Sequence, residues 1–275
     1  MSNAQDVASG RVCYRHPDRP APLACTRCGR PICLDDAIDA PVGFLCPEDA
    51  QVPKRQQQAA RSVARMDRPL ATSWLLGLVV VAYLGQQFGL VTIREWALFG
   101  PAVAAGEWYR VLTSGFLHIN LLHIAFNGYL LYQLGRMLEN PLGSSRLVAV
   151  YLAGLFGGSA GALLLSYDAV TIGASGAVFG LMGAAMVGLR KVGVNPWTSQ
   201  IGGLVIINLV FTFVISNVSV GGHLGGLVAG AVAGWAAFRV ERGDPTGHLT
   251  WVVTAAMLAL AIGVGVVGWS LGLGL

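Results

Sequence analysis

Residues 173–183 read Gly173-Ala174-Ser175-Gly176-Ala177-Val178-Phe179-Gly180-Leu181-Met182-Gly183, a single hydroxyl at the head of a run made otherwise of apolar residues and glycine. Gly176, Gly180 and Gly183 recur at intervals of four and three, the spacing of one helix face. A glycine face lets a second backbone approach closely, and the small residues around Ser175 leave its hydroxyl uncovered. The stretch is glycine-rich and only moderately hydrophobic, so it predicts a helix at the centre of a bundle rather than at its rim.

Outward from it, apolar stretches of bilayer-spanning length recur near 71–90, 121–138, 147–166, 174–190, 200–216, 221–238 and 250–271. With 54% hydrophobic and 12% charged residues in 275, the chain is far too apolar for a soluble domain of its size. All five cysteines precede residue 50 and nearly all long apolar runs follow residue 69, so two domains are expected.

The first seventy residues are polar and rich in Pro and Arg, without the early apolar stretch of a cleavable signal peptide, so the N-terminus is expected in the cytoplasm. The cytoplasmic loops would then hold Arg136, Arg146, Arg190, Lys191, Arg239 and Arg242, and the exterior loops only Arg94 and Arg110. This asymmetry follows the positive-inside rule, and seven spans place the C-terminus outside. The net charge of +4 is therefore read as topology signals rather than as a nucleic-acid surface. The semi-apolar loop at about 91–120, with Trp96, Trp108 and Tyr109, is expected partly in the membrane interface.

Polar groups within hydrocarbon are costly enough to mark function or inter-helix hydrogen bonds. Four stand out: His123 and Asn127 in span two, Ser175 opening span four, and His223 opening span six. His123 and Asn127, four apart, share a helix face. His223 shares its face with Gly226 and Gly230, so two glycine-faced helices are expected to bring Ser175 and His223 within hydrogen-bond reach. Serine alone is a poor nucleophile, and an adjacent imidazole supplies the missing base. The spans hold no Asp or Glu except at their ends, such as Glu139 and Asp168, so a dyad is expected rather than a triad. His123, the Asn127 amide and backbone N–H groups near Ser175 are candidate donors to a developing oxyanion. Each residue taken singly also reads as packing or inter-helix glue.

Together, His118-x4-His123-x3-Asn127, Gly173-Ala174-Ser175-Gly176 and His223-x2-Gly226-x3-Gly230 resemble the rhomboid family of intramembrane serine proteases over approximately residues 70–240. The resemblance implies an all-α polytopic membrane protein with a six-helix core, plus one further C-terminal helix. It implies Ser175 as nucleophile, His223 as general base, His123 and Asn127 in the oxyanion hole, and structural roles for Arg110 and Glu139. Catalysis would need no cofactor, and the substrate would be a transmembrane segment of another protein, cut near a small residue. The active site would open to the exterior, with the loop at 216–222 as a lid. A bacterial plasma membrane is the expected location. Two departures are visible: Tyr109-Arg110, preceded by Trp108, where the family often has Trp-Arg, and Phe179 where some members stack a Tyr on the catalytic His.

The N-terminal segment pairs Cys13-x2-His16, Cys25-x2-Cys28, Cys33-x2-Asp36 and Cys46-x2-Asp49. Paired ligands two residues apart mark zinc sites, and eight ligands suffice for two tetrahedral ions. The order resembles a B-box-type cross-brace, which implies that pairs one and three share one structural Zn²⁺ and pairs two and four the other. The final Asp pair departs from that family, which usually ends in two His, and Asp35 competes with Asp36 for the third pair. Such a module either stabilises its own fold or docks a cytoplasmic protein.

The expected domains are a B-box-like zinc module at 1–50, a basic linker at 51–70, the six-helix core at 71–240 and the additional helix at 241–275. Two rival functions stand beside the protease: a catalytically inactive rhomboid-like protein that binds transmembrane substrates, and a transporter or channel. The first could lose Ser175 or His223, yet both are present. The second predicts internal repeats or paired intramembrane charges, which the sequence lacks.

Overall fold

The computed structural model describes residues 11–40, 42–50, 69–216, 218–239, 247–268 and 270–273. Nearly all of the linker expected at 51–70 lies outside them, as do Arg242 and one residue of the 216–222 loop. Contacts divide the chain into two compact units, Met1–Asp67 and Arg68–Leu275.

Among its described residues, the first unit contains two short antiparallel hairpins, β1 (Leu23–Ala24) with β2 (Pro31–Ile32) and β3 (Ile38–Asp39) with β4 (Phe44–Leu45). Its apolar centre is small: Cys25, Ile32 and Cys46, with Tyr14, Leu23, Ala37, Phe44 and Leu45 around them. Small units with so few buried apolar residues are commonly stapled by disulfides or a metal.

The second unit is helical. Its long helices are α1 (Leu70–Gln87), α5 (Leu121–Leu142), α6 (Ser144–Leu165), α7 (Ser175–Lys191), α8 (Gln200–Val214), α9 (Val220–Phe238) and α10 (His248–Gly268). The segment between α1 and α5 forms short helices α2 (Ile93–Trp96), α3 (Gly100–Ala104) and α4 (Arg110–Thr113), then a 3-10 turn at Ser114–Phe116. Among the described residues, four helices, α1, α6, α9 and α10, are long and apolar enough to cross a membrane by length and composition. Large apolar side chains such as Trp74, Leu122, Phe213 and Val214 stand exposed on the helices, as lipid contact requires and water would not permit. The chain is an integral membrane protein.

Within the bundle α6 is central. Its most apolar window is 78% buried, against 22% for α1 and for α10. Helices α6, α7 and α9 touch through their backbones. A Cβ on Gly226 would lie 2.1 Å from the carbonyl oxygen of Gly176, and one on Gly230 would lie 2.1 Å from that of Gly180. Gly180 in turn faces the Cα of Gly154 on α6, and Gly221 faces the Gly161 carbonyl. The glycine faces of α7 and α9 thus meet as expected from their spacing. That α6 supplies a third glycine face was not anticipated, although Gly154, Gly157, Gly158 and Gly161 carry the same three- and four-residue rhythm.

Helix α5 runs to Leu142, four residues beyond the apolar stretch that predicted it, and takes Pro141 into its last turn. Glu139 explains the extension. Its carboxylate accepts from the Ala71 and Thr72 backbone N–H groups at 2.8 and 3.0 Å, from Thr72 Oγ1 at 2.7 Å and from Ser144 Oγ at 2.6 Å. Helix α1 begins after Pro69 with no side-chain cap of its own, so the acidic residue of α5 satisfies its first free N–H groups.

Replacing Gly230 with Ala should destabilise the helical unit by about 1–3 kcal/mol, because the methyl meets fixed backbone. Gly203→Ala on α8, where no atom lies within 4 Å, should leave stability unchanged or raised. Unfolding of the two purified variants in detergent, compared with wild type, checks the contrast.

Candidate active site and metal centres

Ser175 is the first residue of α7, and its position is set by what precedes it. Leu98 and Thr171 form a two-residue antiparallel bridge, with N–H to carbonyl distances of 3.0 and 2.9 Å. Gly173 then donates its N–H to the Ser114 carbonyl at 2.9 Å. Its φ of +122° and its contact with the His123 ring, 2.8 Å from any added Cβ, leave room for glycine alone. The chain therefore enters α7 pressed against His123.

His123 lies in the first turn of α5, which Asn120 caps by accepting the His123 N–H at 2.8 Å. Asn127, one turn on and buried, donates one amide hydrogen to the His123 carbonyl at 3.0 Å. Its second amide hydrogen remains for a ligand. The His118 and His123 rings meet edge to face at 4.9 Å. Gln86 of α1 holds His118 in place by exchanging two hydrogen bonds with its backbone, at 3.0 and 3.2 Å.

His223 lies in the first turn of α9, capped by Ser219. Phe179, one turn beyond Ser175 on the same face of α7, stacks on the His223 ring at 4.2 Å and 20°. The hydroxyl missing from this ring relative to Tyr is not needed for the stack. On its other side His223 meets α8: Nδ1 is 2.6 Å from Thr212 Oγ1.

Ser175, His223, His123 and Asn127 all line one cavity of about 740 Å³, with Asn208 and Thr212 beside them. Among the described residues no hydrogen bond joins Ser175 to His223, so the expected contact is a shared cavity rather than a closed pair. Catalytic hydrogen bonds are often long before substrate binds and tighten on the reaction path. The cavity draws on the first turns of α5, α7 and α9, whose N-termini favour developing negative charge.

Arg110 and Glu139 stand apart from this cavity. Arg110 is buried in the α1–α5 connection, donating to Glu107 at 2.7 Å and to the Arg94 and Ala97 carbonyls at 2.9 Å each. Its guanidinium holds the Glu107 carboxyl below the usual carboxylate range. It ties the connecting loop together.

Sequence reasoning overlooked Gln86, Asn208 and Thr212. The last two carried a signal, since a four-residue spacing of polar groups within an apolar run is what singled out His123 and Asn127.

In the N-terminal unit, Cys13, His16, Cys33 and Asp36 come together, and so do Cys25, Cys28, Cys46 and Asp49. Within each set the candidate ligand atoms all lie within 4.8 Å of one another. Two thiolates about 2.3 Å from a tetrahedral zinc are about 3.8 Å apart, and Cys28 and Cys46 Sγ are 3.7 Å apart. Cys33 Sγ lies 3.5 Å from His16 Nδ1, and Cys46 Sγ 3.2 Å from Asp49 Oδ2. Asp36 is buried, with Oδ2 2.9 Å from His16 Nδ1, whereas Asp35 points outward to Arg19. Bonds from Cys28, Cys25 and Cys46 hold the Asp49 carboxyl down to about 2, and Asp49 pushes the Cys28 thiol up to about 12. A cation held by these atoms would displace the thiol protons and let the thiolates sit together.

The family described as Rhomboid domain matches residues 105–240. Over 222 residues the chain is 32% identical to rhomboid protease GluP of Bacillus subtilis (strain 168), covering 77% of this chain and 43% of that protein. It is 35% identical over 136 residues to the putative rhomboid protease YdcA of the same organism, covering 48% of this chain and 68% of that protein. RHOMBOID-like protein 6, mitochondrial, of Arabidopsis thaliana is 27% identical over 230 residues, 68% of this chain and 73% of that one. The chain thus spans less than half the length of GluP and about two thirds or more of the other two. On these matches and on its apolar helical bundle, the chain belongs to the rhomboid family.

Proposed function

We propose that the chain is an intramembrane serine endopeptidase that cleaves transmembrane segments of membrane proteins with a Ser175–His223 dyad. The observation that carries this reading is that Ser175, His223, His123 and Asn127, drawn from three helices, line one cavity within an apolar bundle. His223 Nε2 takes the proton from Ser175 Oγ as the oxygen attacks the scissile carbonyl. The resulting oxyanion is held by His123, by the free Asn127 amide hydrogen and by backbone N–H groups opening α7. His223 then protonates the departing amine, leaving an acyl-enzyme on Ser175, and water activated by the same imidazole releases the acid.

Water must reach this cavity, so the site is proposed to open at the exterior face, with the N-terminus cytoplasmic and the C-terminus outside. Helices α1 and α5 to α9 would form the six-helix core, and α10 the additional helix. The proposed domains are 1–50, 51–70, 71–240 and 241–275, in a bacterial plasma membrane. The rival reading, an inactive rhomboid-like protein that binds transmembrane substrates, is less favoured because both dyad residues are present.

The N-terminal unit is proposed to be a B-box-like module holding two structural Zn²⁺ ions. Cys13, His16, Cys33 and Asp36 would hold one, and Cys25, Cys28, Cys46 and Asp49 the other, with a cytoplasmic protein as the module's partner. What supports this is the fit of ligand spacing to a tetrahedral ion, together with an apolar centre of the small size that metals commonly staple. With all four positions taken by protein, such ions act in folding and not in catalysis.

Purified protein with a transmembrane reporter in detergent should show cleavage that Ser175→Ala or His223→Ala lowers by at least about 10³-fold. Asn127→Ala should lower kcat by about 10²–10³-fold. Equal cleavage by wild type and Ser175→Ala would rule out the dyad. Elemental analysis of the whole purified chain should give about two zinc per molecule, falling to about one in Cys33→Ser. A folded N-terminal unit without metal would end the zinc reading.

A further inference from the structure

We infer that Thr212 is the positioning residue of the dyad, fixing His223 in the tautomer that a general base requires. The inference rests on the Ser175–His223 reading and deepens it. The dyad has no carboxylate to orient its imidazole, yet a base presenting Nε2 must carry its proton on Nδ1. Which nitrogen holds the proton is set by the hydrogen bond the other one makes.

The assignment follows from counting protons. Thr212 Oγ1 donates to the Asn208 carbonyl, one turn back on α8, at 2.7 Å. A hydroxyl has one hydrogen and two lone pairs. With that hydrogen committed, the oxygen can only accept at His223 Nδ1, 2.6 Å away, so Nδ1 bears the hydrogen. Nε2 is left with its lone pair, as proton abstraction from Ser175 demands. Thr212 is buried, and Asn208 is itself anchored by donating its side-chain amide to the Leu204 carbonyl at 2.8 Å. The relay Nδ1–H to Oγ1 to backbone carbonyl is short at both links, 2.6 and 2.7 Å.

Thr212 thus stands where a triad has its acid, at the far nitrogen of the base. It does so without placing a charge inside the bilayer, where an ionised carboxylate is costly. When His223 becomes imidazolium, its Nδ1–H bond becomes charge-assisted and strengthens, so the hydroxyl stabilises the transition state more than the ground state. Phe179 fixes the plane of the ring and Thr212 fixes its rotation within that plane.

Two variants separate this role from packing. Thr212→Val keeps the shape and removes the acceptor, while Thr212→Ser keeps the acceptor and removes a methyl group. With the reporter substrate, Thr212→Val should lower kcat by about 10- to 100-fold at unchanged KM, less than the roughly 10⁴-fold effect of a triad carboxylate. Thr212→Ser should stay within about threefold of wild type. Unchanged kcat in the Val variant, or equal loss in both, would overturn the inference. Independently of activity, ¹⁵N NMR of ring-labelled histidine in micelles, assigned by comparison with His223→Gln, reads the tautomer directly. The expected wild-type signal is protonated Nδ1 with bare Nε2, lost or mixed in Thr212→Val, and a wild-type ring protonated at Nε2 would contradict the assignment. If Ser175→Ala cleaved like wild type, the protease reading would fall while the NMR result still decided the tautomer.

Discussion

The structure depends on backbone touching backbone among α6, α7 and α9. Where Gly176 faces Gly226 and Gly180 faces Gly230, a single methyl group would overlap a carbonyl oxygen. In a bilayer, helices gain nothing from hiding apolar surface from water, so close van der Waals approach is what holds them together. The same contact has a chemical consequence. It carries the first turns of α7 and α9 into one cavity and stacks Phe179 on His223. Packing and site geometry are one constraint.

Around that centre the remaining polar groups fall into two kinds. Glu139 and Arg110 are buried, and each ties main chain to side chains: Glu139 the start of α1 with Thr72 and Ser144, Arg110 the carbonyls of the α1–α5 connection with Glu107. They hold the scaffold. His123, Asn127, Ser175, Thr212 and His223 include no carboxylate, ammonium or guanidinium, and they line the cavity. A membrane site built of neutral groups avoids the desolvation cost of a permanent charge, and on the proposed reading a hydroxyl would stand at the imidazole where a soluble enzyme places an acid.

Much of this could be read from the sequence, and the part that could not has a physical reason. Glycine rhythm in 173–183 and 221–230 announced the α7–α9 contact, because only one residue type permits it. The four-residue spacing of His123 and Asn127 announced a shared face. The C-terminal end of α5 was misjudged because Arg136 and Glu139 look like the limit of an apolar span, whereas Glu139 is satisfied by a helix 67 residues earlier in the chain. Thr212 escaped notice for a similar reason: a threonine among apolar residues usually bonds its own helix, and its bond to His223 exists only once α8 and α9 lie side by side. The cysteine pairs of the N-terminal unit were legible as candidate ligands from spacing, and the fold gathers them with His16, Asp36 and Asp49 into two groups of four.

The central claim is that Ser175 is a nucleophile activated by His223. Incubating the purified protein with a serine-directed fluorophosphonate and mapping the adduct by peptide mass spectrometry tests it without need of a substrate. Phosphonylation of Ser175 in the wild type, absent when His223 is replaced by Ala, is the predicted result. An unlabelled Ser175 in protein that still cleaves a transmembrane reporter, or labelling that persists without His223, would contradict it.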